Sequence, residues 1–407
     1  MPTSRDRDCL RELAERYRAV TADAIMTPRR DIWRRVNSLQ PAPPAIYMRG
    51  GRVWREVMAG RELCCEDPGL RGVEYNLRLD IFRAQLGDDT IVEPWLTLRP
   101  VFRHTGWGLD CKRVESPNGT GWVTTHPLTD LDDLGGLVQP VHAIDEAATA
   151  ERVERLQAII GDLVDIELDR APWYRDFNAD LTTILGHLRG IEQFMYDMYE
   201  NPDGLHRLMA FLRDGVLAVH DAAEAAGDWG LASHTNQGMP YGGGLADPQP
   251  HQAPRQRREL WTFFAAQEFA LVSPAMHDEF LLQYQLPIMR HFGLSAYGCC
   301  EDLTRKIDML RQIPNLRRIA VAPAADVAAC SEQIGTDYVM SVRPNPAEMV
   351  CCGFDEDRIR RIIREDLAIC RGRHIDISLK DVDTCEGQVD RLGRWVQIVR
   401  EEIDRNW

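Results

Sequence analysis

The second half of the chain alternates short apolar runs with longer amphipathic ones. The apolar runs have the length of buried strands and lie at 294–299, 317–322, 337–342 and 374–379. Segments with helical spacing surround them, at 275–291, 302–312, 325–334, 355–371 and 387–404. Strands that alternate with helices of this length predict βα units and a parallel sheet. Because no glycine-rich phosphate-binding fingerprint accompanies the strands, the pattern favours a (β/α)8 TIM barrel over a Rossmann sheet.

The first half predicts mainly helices, at 6–25, 31–39, 73–86, 147–161, 181–199 and 202–226. Residues 90–102 are rich in strand formers but contain two prolines, so they predict one interrupted strand or two short ones. The segment 106–126 predicts a β-hairpin with its turn at 117–119, and 229–234 predicts a short buried strand. We therefore expect an N-terminal helical extension, 1–40, followed by a barrel with a β-hairpin insertion, 41–407.

Composition excludes several classes of function. A formal net charge of −15 over 407 residues argues against a nucleic-acid or anionic-membrane partner, since both require a basic surface. No apolar run is long enough to span a membrane, and the N-terminus lacks the apolar core of a signal peptide, so we expect a cytoplasmic protein. The 11 cysteines, which include adjacent pairs at 64–65, 299–300 and 351–352, are then expected to be reduced thiols, most of them small core residues.

Candidate chemistry is densest at the end of the predicted strand 294–299. Side chains alternate between the two faces of a strand, so Tyr297, Cys299 and Glu301 are expected on one face. Gly298 and Cys300 would lie on the other, where Cys300 would pack against helices. A phenol, a thiol and a carboxylate grouped at a strand end predict a reactive site.

In a barrel, the loops that follow the strands share one rim and carry the chemistry. Further candidates on this rim are Asp326, Arg343, Asn345, Lys380 and Asp381, with His234 and Asn236 from the preceding glycine-rich loop. Asp326 also suits a helix N-cap, and Lys380 with Asp381 suits either a substrate carboxylate site or an ordinary ion pair. Gln267 and Glu268 lie among aromatic residues. Glu268 could therefore act as a general acid or metal ligand, or belong to a buried structural pair.

Several longer stretches resemble the uroporphyrinogen decarboxylase superfamily, which includes corrinoid-dependent methyltransferases. They are 87–94, 188–212, 273–288 and R-P-N-P-A-E-M-V at 343–350. The resemblance covers the chain from about residue 41 onward and implies a (β/α)8 barrel and a homodimer. In the zinc-dependent members a strand-end His-x-Cys and a later cysteine hold the metal. Here the motif reads Tyr297-Gly298-Cys299, and Lys380 and Asp381 occupy the region of the later cysteine.

The resemblance implies transfer of a methyl group from a small O- or N-methylated compound to the cobalt of a separate corrinoid protein. Cys299 and Glu301 are the expected zinc ligands, with Glu268 or His234 completing an S/O/N set. Without zinc, a proton from Glu268, Glu301 or Tyr297 would activate the leaving heteroatom. Two alternatives stay open. One is a metal-independent decarboxylase or lyase, in which Lys380 and Arg343 hold a substrate carboxylate, and the other is a non-catalytic barrel subunit.

Overall fold

The computed structural model describes residues 2–407 except 61, 104–105, 118–121 and 233–237, and it describes Trp122 without its side chain. Eight strands form two parallel sheets. They are β1 (Ala45–Gly50), β2 (Trp95–Leu98), β5 (Asp165–Leu168), β6 (Trp261–Phe264), β7 (Leu294–Tyr297), β8 (Leu316–Val321), β9 (Val339–Val342) and β10 (His374–Lys380). The antiparallel pairing of β3 (Arg113–Glu115) with β4 (Trp122–Thr124) confirms the predicted hairpin, and residues 118 and 119 of its predicted turn lie outside the described residues.

Helices connect and cover the strands. The α-helices are α1 (Ser4–Thr21), α2 (Met26–Asn37), α3 (Trp54–Met58), α4 (Pro68–Ala84), α5 (Glu146–Ile160), α6 (Thr182–Arg189), α7 (Ile191–Glu200), α8 (Pro202–Ala225), α9 (Pro274–His277), α10 (Gln283–Met289), α11 (Ile307–Leu310), α12 (Val327–Ile334), α13 (Glu356–Ile369) and α14 (Asp390–Asn406). A π-helical turn, Asp278–Leu282, joins α9 to α10. Short 3-10 turns lie at Asp176–Asn178, Arg257–Glu259, Gln267–Phe269, Pro346–Met349 and Cys351–Gly353.

The parallel strands belong to two sheets. Six of them form one sheet in the order β1-β10-β9-β8-β7-β6, and β2 pairs with β5. This arrangement confirms the predicted parallel sheet and is consistent with an α/β barrel. In the part of the chain that the structure describes, hydrogen-bonded pairing does not link β1 to β2 or β5 to β6, so closure of the eight-stranded ring stays a prediction.

Two buried carboxylates cover the edge of β1. The Asp89 carboxylate accepts from the Ile46 amide at 2.7 Å, and the Asp88 carboxylate accepts from the Met48 amide at 2.8 Å. Burial raises the pKa of Asp88, although the Met48 amide and Thr90 oppose that rise. Both carboxylates lie just before β2 in the chain. They satisfy donors of β1 that a neighbouring strand would otherwise satisfy.

The two faces of the six-stranded sheet differ sharply, because side chains alternate along each strand. One face carries apolar side chains that join the core around α13 and α14: Ile319, Val321, Met340, Val342, Ile375, Ile377 and Leu379. The opposite face, called the polar face below, carries Arg318, Ser341, Asp376, Ser378 and Lys380, and Arg343 follows β9 on it. The sequence therefore builds a charged and hydroxylated surface inside the fold.

The N-terminal helices pack against the rest of the molecule. The Trp33 indole of α2 donates to the Asp89 carbonyl at 2.7 Å, and Tyr17 of α1 donates to the Glu93 carbonyl at 2.8 Å. Asn37, at the end of α2, accepts from Arg318 of the polar face at 2.7 Å. The boundary at residue 40 stays a prediction, but this segment is in direct contact with the sheets.

Several predicted elements need correction. The strand expected at 229–234 is wrong over residues 229–232, which are irregular, and residues 233–234 lie outside the described part. The helix expected at 302–312 shrinks to α11, and the one expected at 275–291 is interrupted by the π-helical turn. Strands β1, β5 and β6 carried no recognised signal. In the described residues, no helix is both long and apolar enough to cross a membrane.

Candidate functional site

The centre of the candidate site is a contact between a thiol and an ammonium group on the polar face. Cys299 follows β7 and Lys380 ends β10, and Lys380 Nζ lies 2.9 Å from Cys299 Sγ. Both residues are buried. Burial and the nearby Arg343 guanidinium each lower the pKa of Lys380, but the Cys299 sulfur and Asp381 outweigh them, so the pKa of Lys380 is raised. The ammonium form of Lys380 is therefore favoured next to the Cys299 sulfur.

Cys300 and Asp381 border this pair at the surface. Lys380 Nζ lies 3.2 Å from Cys300 Sγ and 2.7 Å from the Asp381 carboxylate. Cys300 is exposed, so the expectation that it packs against helices is wrong. Its hydrogen bond with Cys299 and its partial burial raise the pKa of the Cys300 thiol. The two adjacent sulfurs lie 3.6 Å apart, and Lys380 Nζ is within hydrogen-bond distance of both.

Glu301 connects two backbone segments of the site. Its carboxylate accepts from the Ala266 amide at 2.7 Å and from the Cys299 amide at 2.9 Å. It thereby ties the chain after β6 to the chain after β7. Burial raises the pKa of Glu301, although these backbone donors oppose that rise. Each Glu301 oxygen accepts a backbone N–H group, and Glu301 thereby positions Cys299. This positioning role is different from the roles predicted for Glu301, proton donor and zinc ligand.

Tyr297 lies on the opposite face from Cys299, so the prediction that they share a face is wrong. The Tyr297 hydroxyl donates to Gln285 Oε1 at 2.8 Å and lies 2.9 Å from His277 Nε2, within the apolar core. Gly298 explains the reversal: its φ of +96° is not an extended conformation, so the alternation stops there. A β-carbon at Gly298 would come within 2.6 Å of Leu303. Glycine at 298 is therefore required.

Arg343 approaches the site from β9. Its Nη1 donates to the Cys299 carbonyl at 3.1 Å, and its Nε is buried without a hydrogen-bond partner among the described residues. Burial lowers the pKa of Arg343, although the Cys299 sulfur opposes this. An unpaired guanidinium N–H next to Lys380 provides a donor for an anionic group of a ligand.

Gln267 and Glu268 form part of the 3-10 turn after β6, and both are half-buried. Glu268 Oε2 is shielded from solvent and has no hydrogen-bond partner among the described residues. Asp180, which is fully buried, lies near it. Burial first, and then the Glu268 carboxylate, raise the pKa of Asp180 well above its usual range. Glu268 is thus the site carboxylate that keeps an oxygen free for a proton or a ligand.

Lys306 supports this turn from beneath. Its buried ammonium donates to the Phe269 carbonyl at 2.7 Å. Burial lowers the pKa of Lys306 to about 8, although Glu301 and Asp302 oppose this. Only three lysines occur in the sequence, and two of them, Lys306 and Lys380, are buried near the ends of these strands.

Two further predicted site residues, Asp326 and Asn345, cap helical segments. Asp326 is exposed, and its side chain accepts from the Ala329 amide at 3.0 Å. It therefore caps the N-terminus of α12, which is one of the two roles predicted for it. Asn345 caps the Pro346–Met349 turn in the same way. His234 and Asn236 lie outside the described residues. Sequence reasoning gave no role to Asp180, His277, Gln285 and Lys306, because the role of each depends on a residue distant in the chain.

The described residues around Cys299 do not fit a zinc ion. Zinc takes three or four thiolate, imidazole or carboxylate ligands. Here the Cys299 sulfur faces the Lys380 ammonium, with the Arg343 guanidinium close by. Two neighbouring cations would repel a third.

Comparison with known proteins supports the fold. No protein-family model and no curated protein matches the sequence. Among solved structures, a methyltransferase from Methanosarcina mazei matches with a TM-score of 0.53 at 14% sequence identity. The match covers 92% of this chain and 97% of that one. It shows that the two chains share a fold over almost their whole length.

Proposed function

We propose that this protein transfers a methyl group from a small O- or N-methylated compound to a corrinoid carried by a separate protein. The observation that supports this most is the Cys299–Lys380 pair at 2.9 Å, buried where parallel strands end. The shared fold with a methyltransferase adds to it. The cobalt of a reduced corrinoid supplies the nucleophile that takes the methyl group.

The role of the protein's own residues is to activate the heteroatom as a leaving group. As the carbon–heteroatom bond breaks, its electron pair stays on the oxygen or nitrogen, which then needs a proton. The Lys380 ammonium can supply this proton at Nζ, and Cys299 and Asp381 stabilise its charged form until the reaction. Glu268, with its unpartnered oxygen, is the second candidate donor. No step of this mechanism uses zinc.

Arg343 and Lys380 indicate which chemical group of the substrate binds next to the methylated heteroatom. Both side chains are buried cations, and Arg343 Nε has no hydrogen-bond partner among the described residues. The substrate is therefore expected to carry an acidic oxygen or carboxylate near the methylated heteroatom.

The test is transfer to free cob(I)alamin, used in place of the corrinoid protein. Methylated phenols, aromatic acids and amines are supplied in turn, and methyl–cobalt absorbance is recorded with the wild type, Lys380→Met and Lys112→Met. Lys112 is exposed on the hairpin and serves as the matched control. We expect transfer with the wild type and the control and its loss in Lys380→Met. Absence of methyl–cobalt with every donor would contradict the proposal.

The cationic pair also favours a second candidate, a metal-independent decarboxylase or lyase of a small carboxylic acid. Arg343 and Lys380 would hold the carboxylate. Release of carbon dioxide from candidate acids by chelator-treated protein, without any corrinoid, would favour this activity. If neither activity is found, the third alternative, a non-catalytic barrel subunit, would remain.

A further inference from the structure

A second group of thiols converges outside the polar face, between α1 and α4. Cys9 lies on α1, Glu74 on α4, and Cys64 and Cys65 in the segment that joins α3 to α4. One ligand atom from each of Cys9, Cys64 and Glu74 lies within 4.8 Å of the other two. The adjacent pair Cys64–Cys65 has no part in the proposed methyl transfer.

The carboxylate at the centre of this group is held firmly. Glu74 is fully buried and accepts from the Cys64 amide at 2.9 Å and from the Cys65 amide at 2.8 Å. Arg78, one helical turn later, donates from Nε to Glu74 at 2.8 Å and from Nη2 towards Cys64 Sγ at 3.6 Å. The backbone contacts of Glu74 therefore position Cys64 and Cys65, and the Arg78 guanidinium also lies 3.9 Å from Cys9 Sγ.

We propose that Cys9, Cys64 and Glu74 form a structural zinc site, with Cys65 or water as fourth ligand. Thiolate and carboxylate are ligands that zinc prefers. At a zinc–sulfur bond of about 2.3 Å, tetrahedral geometry brings two sulfurs to about 3.8 Å, so the ligand atoms need to move by about 1 Å at most. Binding breaks the two S–H bonds and releases both protons to solvent. Two thiolates and one carboxylate then balance the charges of Zn²⁺ and Arg78.

Zinc at this site would hold the N-terminal helix α1 in place. Cys9 belongs to the first helix, whereas Glu74 belongs to a helix that follows β1. Zinc would cross-link them and fix α1 on α4. The inference does not depend on the proposed methyl transfer, since none of these residues lies at the Cys299–Lys380 pair.

The experiment uses the reduced full-length protein under anaerobic conditions. Zinc is added, free metal is removed, and bound zinc is measured with a colorimetric chelator. Cys9→Ser, Cys64→Ser and Arg78→Gln are compared with two controls. Cys352→Ser alters an exposed adjacent pair, and Cys299→Ser tests binding at the polar face. We expect one zinc per chain, at least a tenfold loss of affinity in Cys9→Ser and Cys64→Ser, and retention in Arg78→Gln and both controls.

Alkylation of the wild type keeps the test valid if a serine variant fails to fold. Bound zinc should protect Cys9 and Cys64 from iodoacetamide and leave Cys352 reactive, as read by peptide mass spectrometry. Three results would overturn the inference. They are no stoichiometric zinc, zinc that survives Cys9→Ser, and a Cys9–Cys64 disulfide that forms in air and accounts for the proximity of the two thiols.

Discussion

Replacing Lys380 by methionine tests the charge state on which the proposed chemistry depends. Methionine keeps most of the length of the side chain and removes the ammonium that lies 2.9 Å from Cys299 Sγ. At an effective dielectric constant of about 20, this separation corresponds to a gross attraction of about 6 kcal/mol. Burial and Arg343 act against it. The net value of a charged hydrogen bond is about 1.5–3 kcal/mol.

Because about 1.4 kcal/mol corresponds to a factor of 10, the thiolate fraction of Cys299 should fall about 10- to 100-fold in Lys380→Met. The assay is the ultraviolet thiolate absorbance at neutral pH. It is taken as the difference between each protein and its Cys299→Ser derivative, so that other cysteines cancel. We expect a thiolate band with wild type and with Lys112→Met and almost none with Lys380→Met. An equal band with and without Lys380 would refute the pairing.

Three further outcomes follow from the described contacts. Asp376→Leu should destabilise the protein by about 3–5 kcal/mol, because it removes the carboxylate that lies 2.7 Å from Arg318 and leaves that buried charge without this counter-ion. The double variant with Arg318→Met should recover most of that loss, as read by urea unfolding, and strictly additive costs would argue against coupling. Tyr297→Phe should destabilise the protein by about 1–3 kcal/mol, because His277 and Gln285 each lose a hydrogen bond with the Tyr297 hydroxyl. Methyl transfer should stay intact. A large loss of activity would indicate that Tyr297 belongs to the site after all. For Lys306, whose pKa is lowered from 10.5 to about 8, the folded state binds fewer protons than the unfolded state between these values. Wild-type stability relative to Lys306→Met should therefore rise with pH across that window, and a flat difference in unfolding free energy would contradict it.

Local sequence determined much of the second half of the fold. Four of its strands and the helices α12, α13 and α14 lie close to their predicted ranges, because periodicity and capping residues such as Asp326 are local signals. Alternation along β10 likewise places Asp376, Ser378 and Lys380 on one face. Strands β1, β5 and β6 were missed, although β7 and β9 are equally short, because they lie outside the regular alternation of strands and helices in residues 275–404.

The candidate site was decided by tertiary structure. Cys299 and Lys380 are 81 positions apart, and no property of either residue predicts that their side chains lie 2.9 Å apart. The single backbone conformation of Gly298 separated Tyr297 from Cys299 and brought Cys300 to the surface. The sequence by itself determined which residues could carry chemistry. The packing of distant strand ends decided which of them meet, because contacts across a sheet depend on strand order and register, which local patterns do not encode.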